Sequence, residues 1–261
     1  MHTGRYAMET MVSHEVSRGQ GNEFLNKLEA VGLTGALAQK VIDSKDNELG
    51  IKVVRLIENG GFEPSTSQTR AREIMGRNFF GVEEAIKHFG VNPSRQQLAL
   101  LAEVPYSEEA LAASKDTHVL VAVFPLSLLD VRGKVADKSL FYSQDWYNRQ
   151  AFAKERGEVG WQLVRKTPIA DSTNKTWNEQ QALLSSDEET PTAQVMVYTI
   201  IGHYLATGER LFENIYVRTS SLDSDGFRVD VGVFDAEGLD VDIWDDSFRV
   251  SDIGLSSARK F

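Results

Sequence analysis

Between Asn22 and about Ser114 the apolar residues recur at helical spacing. Phe24, Leu25, Leu28 and Val31 share one face of a helix that Gly32 stops, and Ala36, Leu37, Val41 and Ile42 repeat the pattern. A third stretch carries Val53, Val54, Leu56 and Ile57 ahead of the Gly60-Gly61 pair. Shorter helices are predicted around Arg70 to Met75, Val82 to Phe89, Ser94 to Leu101 and Ser107 to Ser114, with short connections between them.

The period then changes. His118 to Phe124 reads HVLVAVF, a β-branched and nearly continuous apolar run ended by Pro125, which predicts a buried strand. Val159 to Lys166 predicts a second strand. Thr176 and Glu179 have the T-x-x-E spacing of a capping box and open a helix carrying Ala182, Leu183 and Leu184. A longer helix is predicted with Thr190 as its N-cap and Pro191 as its first residue, and Asp187, Glu188 and Glu189 lie at its positive end. Val197, Ile200, Ile201, Tyr204 and Leu205 form its apolar stripe, and Gly208 ends it.

Strands follow at Asn214 to Thr219, Phe227 to Phe234 and Leu239 to Trp244, separated by the turns Asp223-Ser-Asp-Gly226 and Asp235-Ala-Glu-Gly238. Alternation along Phe227 to Phe234 sends Arg228 and the even positions one way and Phe227, Val229 and Val231 the other. It does not say which side meets solvent. The expected fold class is therefore α+β, with a leader at 1–20, a helical N-terminal region at 21–115 and a mixed domain at 116–261.

Composition narrows the function. With 41% hydrophobic and 25% charged residues the chain sits at the globular average. It has no cysteine, which excludes disulfides, thiolate metal sites and cysteine nucleophiles. A net charge of -10 opposes the phosphate neutralisation that nucleic-acid binding requires. Met1 to Gln20 lacks the apolar core of a secretory signal and reads as a disordered leader, and no segment has the length of a membrane span. The default expectation is a cytoplasmic location, with assembly into a virion or a surface particle left open.

The candidate chemistry is sparse. Setting Gly226 at the glycine of an EF-hand loop puts Ser221, Asp223 and Asp225 at the first ligand positions, but the closing acid falls at Gly232. A hairpin turn is the expectation instead. Asp240, Asp242, Asp245 and Asp246 lack a His or Glu at ligand spacing and read as a solvated or ligand-facing acidic patch. The histidines are scattered, with His203 read as structural, and no G-x-S-x-G or Walker A string occurs. The helices Val82 to Phe89 and Ser94 to Leu101 have helix-turn-helix spacing, but the segment Glu83 to Glu109 sets Lys87 and Arg95 against Glu83, Glu84, Glu103, Glu108 and Glu109, so a packing hairpin is expected.

Four strings in the C-terminal half stand out: Ala206-Thr-Gly-Glu-Arg-Leu-Phe212, Ile215-Tyr-Val-Arg218, Arg228-Val-Asp-Val-Gly232 and Gly238-Leu-Asp-Val-Asp-Ile-Trp-Asp-Asp246. Gly254-Leu-Ser-Ser-Ala-Arg-Lys-Phe261 closes the chain. Together they resemble the variable proteins of diversity-generating retroelements, and Thr66 to Gly157 is similar to the long form of that family. The resemblance implies a C-type-lectin-like domain, related to the formylglycine-generating fold, with antiparallel strands and two helices. It implies that an error-prone reverse transcriptase rewrites a C-terminal segment, here about 223–253, by mutating template adenines.

The resemblance also constrains composition. Codons of the form AAC become NNC, which never encode Lys, Glu, Gln, Met or Trp. Those five types make up 53 of the 261 residues, so about six are expected among the 31 from Asp223 to Ile253, which hold only Glu237 and Trp244. The ligand-binding, variable residues expected on this basis are Phe227, Asp230, Val233, Asp240, Asp242, Ile243, Ser247, Phe248, Val250 and Ser251. They would project from a rigid base while Gly254 to Phe261 locks the last strand, with HVLVAVF as its expected partner.

The missing cysteines rule out the oxidase chemistry of the fold's enzymatic relatives, and the calcium motif of sugar-binding lectins is absent. The expectation is thus a binding protein rather than an enzyme, using no cofactor or metal and taking a protein ligand of basic character. No nucleic acid or membrane insertion is expected, and the helical region could serve oligomerisation. The alternatives are a lectin-like attachment or structural protein that is not diversified, and an enzyme with an unrecognised carboxylate site.

Overall fold

The computed structural model describes residues 16–45, 48–58 and 65–260. The chain divides into two compact units, Met1–Glu63 and Pro64–Phe261. In the first unit, Ser17 closes a capping box with Gln20 and starts α1 (Arg18–Ala30). Helices α2 (Gly35–Ile42) and α3 (Glu48–Glu58) follow. Arg18 to Gln20 are therefore helical rather than part of a disordered leader; residues 1–15 of that expected leader lie outside the described residues.

The second unit begins with β1 (Thr66–Ser67), α4 (Gln68–Met75), β2 (Phe79–Phe80), α5 (Val82–Phe89), α6 (Arg95–Leu100), β3 (Glu103–Val104) and α7 (Glu108–Ser114). The side chains of Ser67, Ser94 and Ser107 cap α4, α6 and α7. These elements belong with the C-terminal half, not with an N-terminal region ending near residue 115. The reason is burial: Ala71, Met75, Val82, Ala85, Phe89 and Leu111 contribute to the core of this second unit.

Next come β4 (His118–Val123), α8 (Leu128–Lys134), α9 (Ala151–Lys154), β5 (Gly160–Arg165), α10 (Trp177–Gln181), β6 (Glu188–Glu189) and α11 (Ala193–Thr207). The chain ends with β7 (Tyr216–Leu222), β8 (Arg228–Asp235), β9 (Gly238–Trp244), β10 (Ile253–Leu255) and β11 (Ala258–Arg259). The fold is α+β. One sheet has the order β2-β4-β5-β11-β6 and a second the order β10-β7-β8-β9, beside the short pair β1-β3. Both larger sheets are mixed rather than purely antiparallel, because β2 pairs with β4, and β10 with β7, in parallel. From residue 116 onward four α-helices form, not two.

Three local expectations are corrected. HVLVAVF does not pair with the last strand: β4 runs antiparallel to β5, and β11 takes the other edge of β5, with Ala258 opposite Val164. The capping box at Thr176 forms, but α10 stops at Gln181, and Ala182 is its C-cap. Helix α11 starts two residues later than expected, with Thr192 as N-cap. Thr190 Oγ1 instead accepts from Gln181, and Glu188 and Glu189 pair with β11 as a strand.

Helix α11 holds the unit together. Every residue from Ala193 to His203 except Val195 is buried, so the expected one-sided stripe is in fact a helix covered all round. It touches β2 and β4 of one sheet and β7 and β8 of the other. Tyr198 Oη donates to the Ala122 carbonyl at 3.1 Å, and Gly202 lets the Phe80 ring approach. Helix α5 packs on α11 through its apolar face, whereas α6, the other half of the expected packing hairpin, has no buried residue.

Candidate functional site

Strands β7, β8 and β9 are in register so that Arg218 faces Asp230 and Asp230 faces Asp242, while Tyr216, Gly232 and Asp240 form the neighbouring row. Arg228 is opposite Trp244. These residues share one face of the sheet, because cross-strand partners point the same way. The opposite face carries Val217, Val229, Val231 and Val241, all buried in the core.

The polar face is not open to solvent over β8. Asp230 is 0% exposed, and Arg228 is buried as well. Asp230 is thus corrected from a surface residue to an internal one. Strand β8 is flanked by β7 and β9, its apolar face meets the core, and its polar face is closed by the segment 174–180 and the loop 245–252. The expectation that side chains project outward along Phe227 to Phe234 fails at Arg228 and Asp230 for the same reason.

Arg218 builds this closure. It is 0% exposed, and its guanidinium donates to the Lys175 carbonyl and to Gln180 Oε1, both at 3.1 Å. It also donates to the carbonyls of Asp245 at 3.4 Å and Phe248 at 3.0 Å. Burial lowers its pKa, and the Asp230 charge is the largest effect in the opposite sense. Arg228 adds a bidentate pair to Asp246, at 3.0 and 2.8 Å, and lies over the Trp177 ring at 3.8 Å.

The loop between β9 and β10 is held largely by its main chain. The carbonyl of Asp246 accepts from Trp177 N–H, that of Val250 from Asn174 N–H and that of Asp252 from Tyr216 N–H, each at 2.9 Å. With the two Arg218 bonds, five loop carbonyls are engaged from outside the loop. Among the loop side chains, Asp246 and Arg249 make hydrogen bonds outside it, Asp246 with Arg228 and Arg249 with Glu179. Glu179 is lowered to about 2, by the Thr176 N–H and by Arg249. Asp245 stays within the loop and accepts from the N–H and hydroxyl of Ser247, which hold its pKa low.

The remaining expected site residues divide accordingly. Ser247, Phe248 and Ser251 are exposed, Phe248 by 54%, and Val250 is half-buried. Asp240 and Asp242 are half-buried on the polar face of β9. Asp240 accepts from Gln144 at 2.7 Å and from Tyr216 Oη. Burial, then Asp240, raises the pKa of Tyr216. Asp242 is raised by burial foremost, against the N–H of Ile243. Ile243 points to the other side and packs partly against the core, so it does not share the face of Asp242.

Phe227 is 38% exposed, just ahead of β8 at the end where Arg228 meets Trp244. There Asp223 Oδ1 accepts the N–H groups of Asp225 and Phe227, which makes the Asp223-to-Gly226 segment the expected hairpin turn. Val233 sits at the far end, half-buried at a register shift between Gly232 and Asp235 and with φ of 43°. The structure thus gathers Asp240, Asp242, Ser247, Phe248, Val250 and Ser251 along one edge of the sheet and its covering loop. Phe227 and Val233 mark the two ends of β8.

Sequence reasoning missed Arg218, Trp177, Gln180 and Gln144, which hold this surface. The one available signal was an arginine in the apolar run Ile215-Tyr-Val-Arg218. Among the described residues no group of three His, Asp or Glu could hold a metal ion, and no helix is long and apolar enough to cross a membrane. No family model, curated protein or solved structure matches this chain.

Proposed function

We propose that this chain is a ligand-binding protein with a C-type-lectin-like second unit, whose C-terminal surface is diversified by adenine-directed mutagenic retrohoming and which acts by binding rather than by catalysis. The observation that carries the reading is the attachment of the loop 245–252 through five main-chain carbonyls. A carbonyl is common to every residue, so Ser247, Phe248, Val250 and Ser251 can be exchanged without removing the bonds that hold the loop. A surface rewritten at random requires that separation of framework from variable side chain.

Val233 supports the same reading independently. A β-branched residue with positive φ is disfavoured, and asparagine is among the residues best suited to that backbone. An AAC codon at this position encodes the residue the backbone prefers, and valine is one of its NNC outcomes. The binding surface offers an acidic edge at Asp240 and Asp242 beside the Trp244–Phe248 ring pair, whose centroids are 6.1 Å apart. Its complement is a protein surface with basic and apolar groups.

The deciding experiment is sequencing the DNA that flanks the gene. The expected result is a reverse-transcriptase gene and a near-copy of the segment encoding about 223–253, differing from it at template adenines alone. Mismatches spread over all four bases, or identical C-terminal sequences among close strains with no such copy, would leave a non-diversified attachment protein.

A further inference from the structure

The first unit contains helices without a core. Among its described residues none is buried, although Phe24, Leu25, Val53 and Leu56 would serve in any interior. Of the nineteen large hydrophobic residues exposed among the described residues, eleven lie between Val16 and Ile57; Val31 is 83% and Ile42 73% exposed. Helices of 8 to 13 residues are marginal in water unless an apolar face is covered. The apolar positions are not scattered: Phe24, Leu28 and Val31 in α1 and Leu49, Val53 and Leu56 in α3 both step by four and then three residues. That is the spacing of a seam that seats against another helix.

We propose that α1, α2 and α3 form an interface with a second copy of this chain, giving a homo-oligomer held by its N-terminal helices. Two arguments select a second copy. The first is charge. From Val16 to Glu58 there are six Lys or Arg and six Asp or Glu, so this segment is neutral in a chain of net charge -10. Two identical segments therefore meet without net repulsion, and most of the acidic excess lies in the second unit.

The second argument is area. Burying one aliphatic side chain removes roughly 100 Å² of apolar surface from water. Eleven residues, most of them about half exposed, thus offer roughly 600 Å² per copy, close to the ~800 Å² that each partner contributes to a stable interface. Large exposed apolar surface of this extent marks an association site.

Sedimentation equilibrium of the full chain tests this, over a range from low to high micromolar concentration. The expected result is a mass at least twice the 29.1 kDa of one chain at the higher concentrations. Phe24→Glu and Leu56→Glu should each return the mass to that of one chain, while Asn26→Glu, on the polar side of α1, leaves the oligomer intact. Because all three positions are exposed, the near-ultraviolet circular dichroism of the full chain, whose four tryptophans all lie in the second unit, should be unchanged. A single-chain mass throughout the range overturns the proposal. So does an oligomer that survives both apolar-face variants, since association would then use another surface.

Discussion

The guanidinium of Arg218 and the residue Phe248 meet at 3.0 Å, side chain to main-chain carbonyl, with the Phe248 ring left pointing outward. A fully buried charge holds the backbone of an exposed residue. The side chain at position 248 can then change while the backbone beneath it stays in place.

This arrangement predicts opposite costs at the two residues. Arg218→Met removes the donor to four acceptors, three of them main-chain carbonyls, and leaves them without that partner, so it should cost roughly 3–5 kcal/mol. Phe248→Ser gives up only the ring contact with Trp244 and should cost less than about 1 kcal/mol. Urea unfolding of the two variants checks the contrast.

Val233→Asn should raise stability by about 1 kcal/mol, since it relieves a β-branched side chain at φ of 43° while keeping the N–H bond to the Ile215 carbonyl. A higher thermal midpoint than the parent is the expected readout.

Gly232→Ala should prevent folding to a soluble, cooperative state. A Cβ there would sit 2.1 Å from the Ile215 carbonyl oxygen, a main-chain atom adjacent to the paired residues Tyr216 and Gly232, so neither side can give way without breaking that pairing. Expression with near-ultraviolet circular dichroism is the check.

Asp230 predicts a pH dependence of stability. Its carboxyl oxygens are buried without a hydrogen-bond partner, and burial raises its pKa well above the ordinary 3.8. The folded chain therefore keeps a proton that the unfolded chain releases from about pH 4 upward. The stabilisation is complete below that pH and is lost as pH rises through the raised folded value. Asp230→Asn carries no such proton, so it should be the more stable form at neutral pH, by a margin that grows from pH 4. Denaturant titrations across that range measure it.

His118 predicts the reverse sense. Burial, then Arg165 and Arg259, pushes it down from 6.5 to about 4, so it is neutral in the fold where the unfolded chain takes up a proton. Its contribution is present above pH 6.5 and is lost as pH falls toward 4. His118→Gln should flatten the stability profile in that window, read by the same titrations.

Local periodicity was enough to locate most elements. Helix α5 falls where spacing puts it, α6 and α7 begin after the serines at 94 and 107, and β4, β5, β8 and β9 fall within a residue or two of the apolar runs, because these signals act over three or four neighbours. The hairpin turn at Asp223 to Gly226 was equally local, since one aspartate accepts both N–H groups that shape it. The missed start of α11 was decided at a distance: Thr190 is engaged by Gln181, and Glu188 and Glu189 are drawn into a sheet by residues near the C-terminus.

By itself, then, the sequence determined the kinds of elements, their order and the α+β class. Only the tertiary structure decided which side chains the C-terminal segment exposes. Asp230 and Asp242 look alike along the chain, one on each of two alternating strands, yet the first is sealed beneath Arg218 and the loop while the second reaches the edge. Alternation assigns a residue to a face of a strand; what covers that face is set by segments far away in sequence, here 174–180 and 245–252, whose main chains close over the sheet.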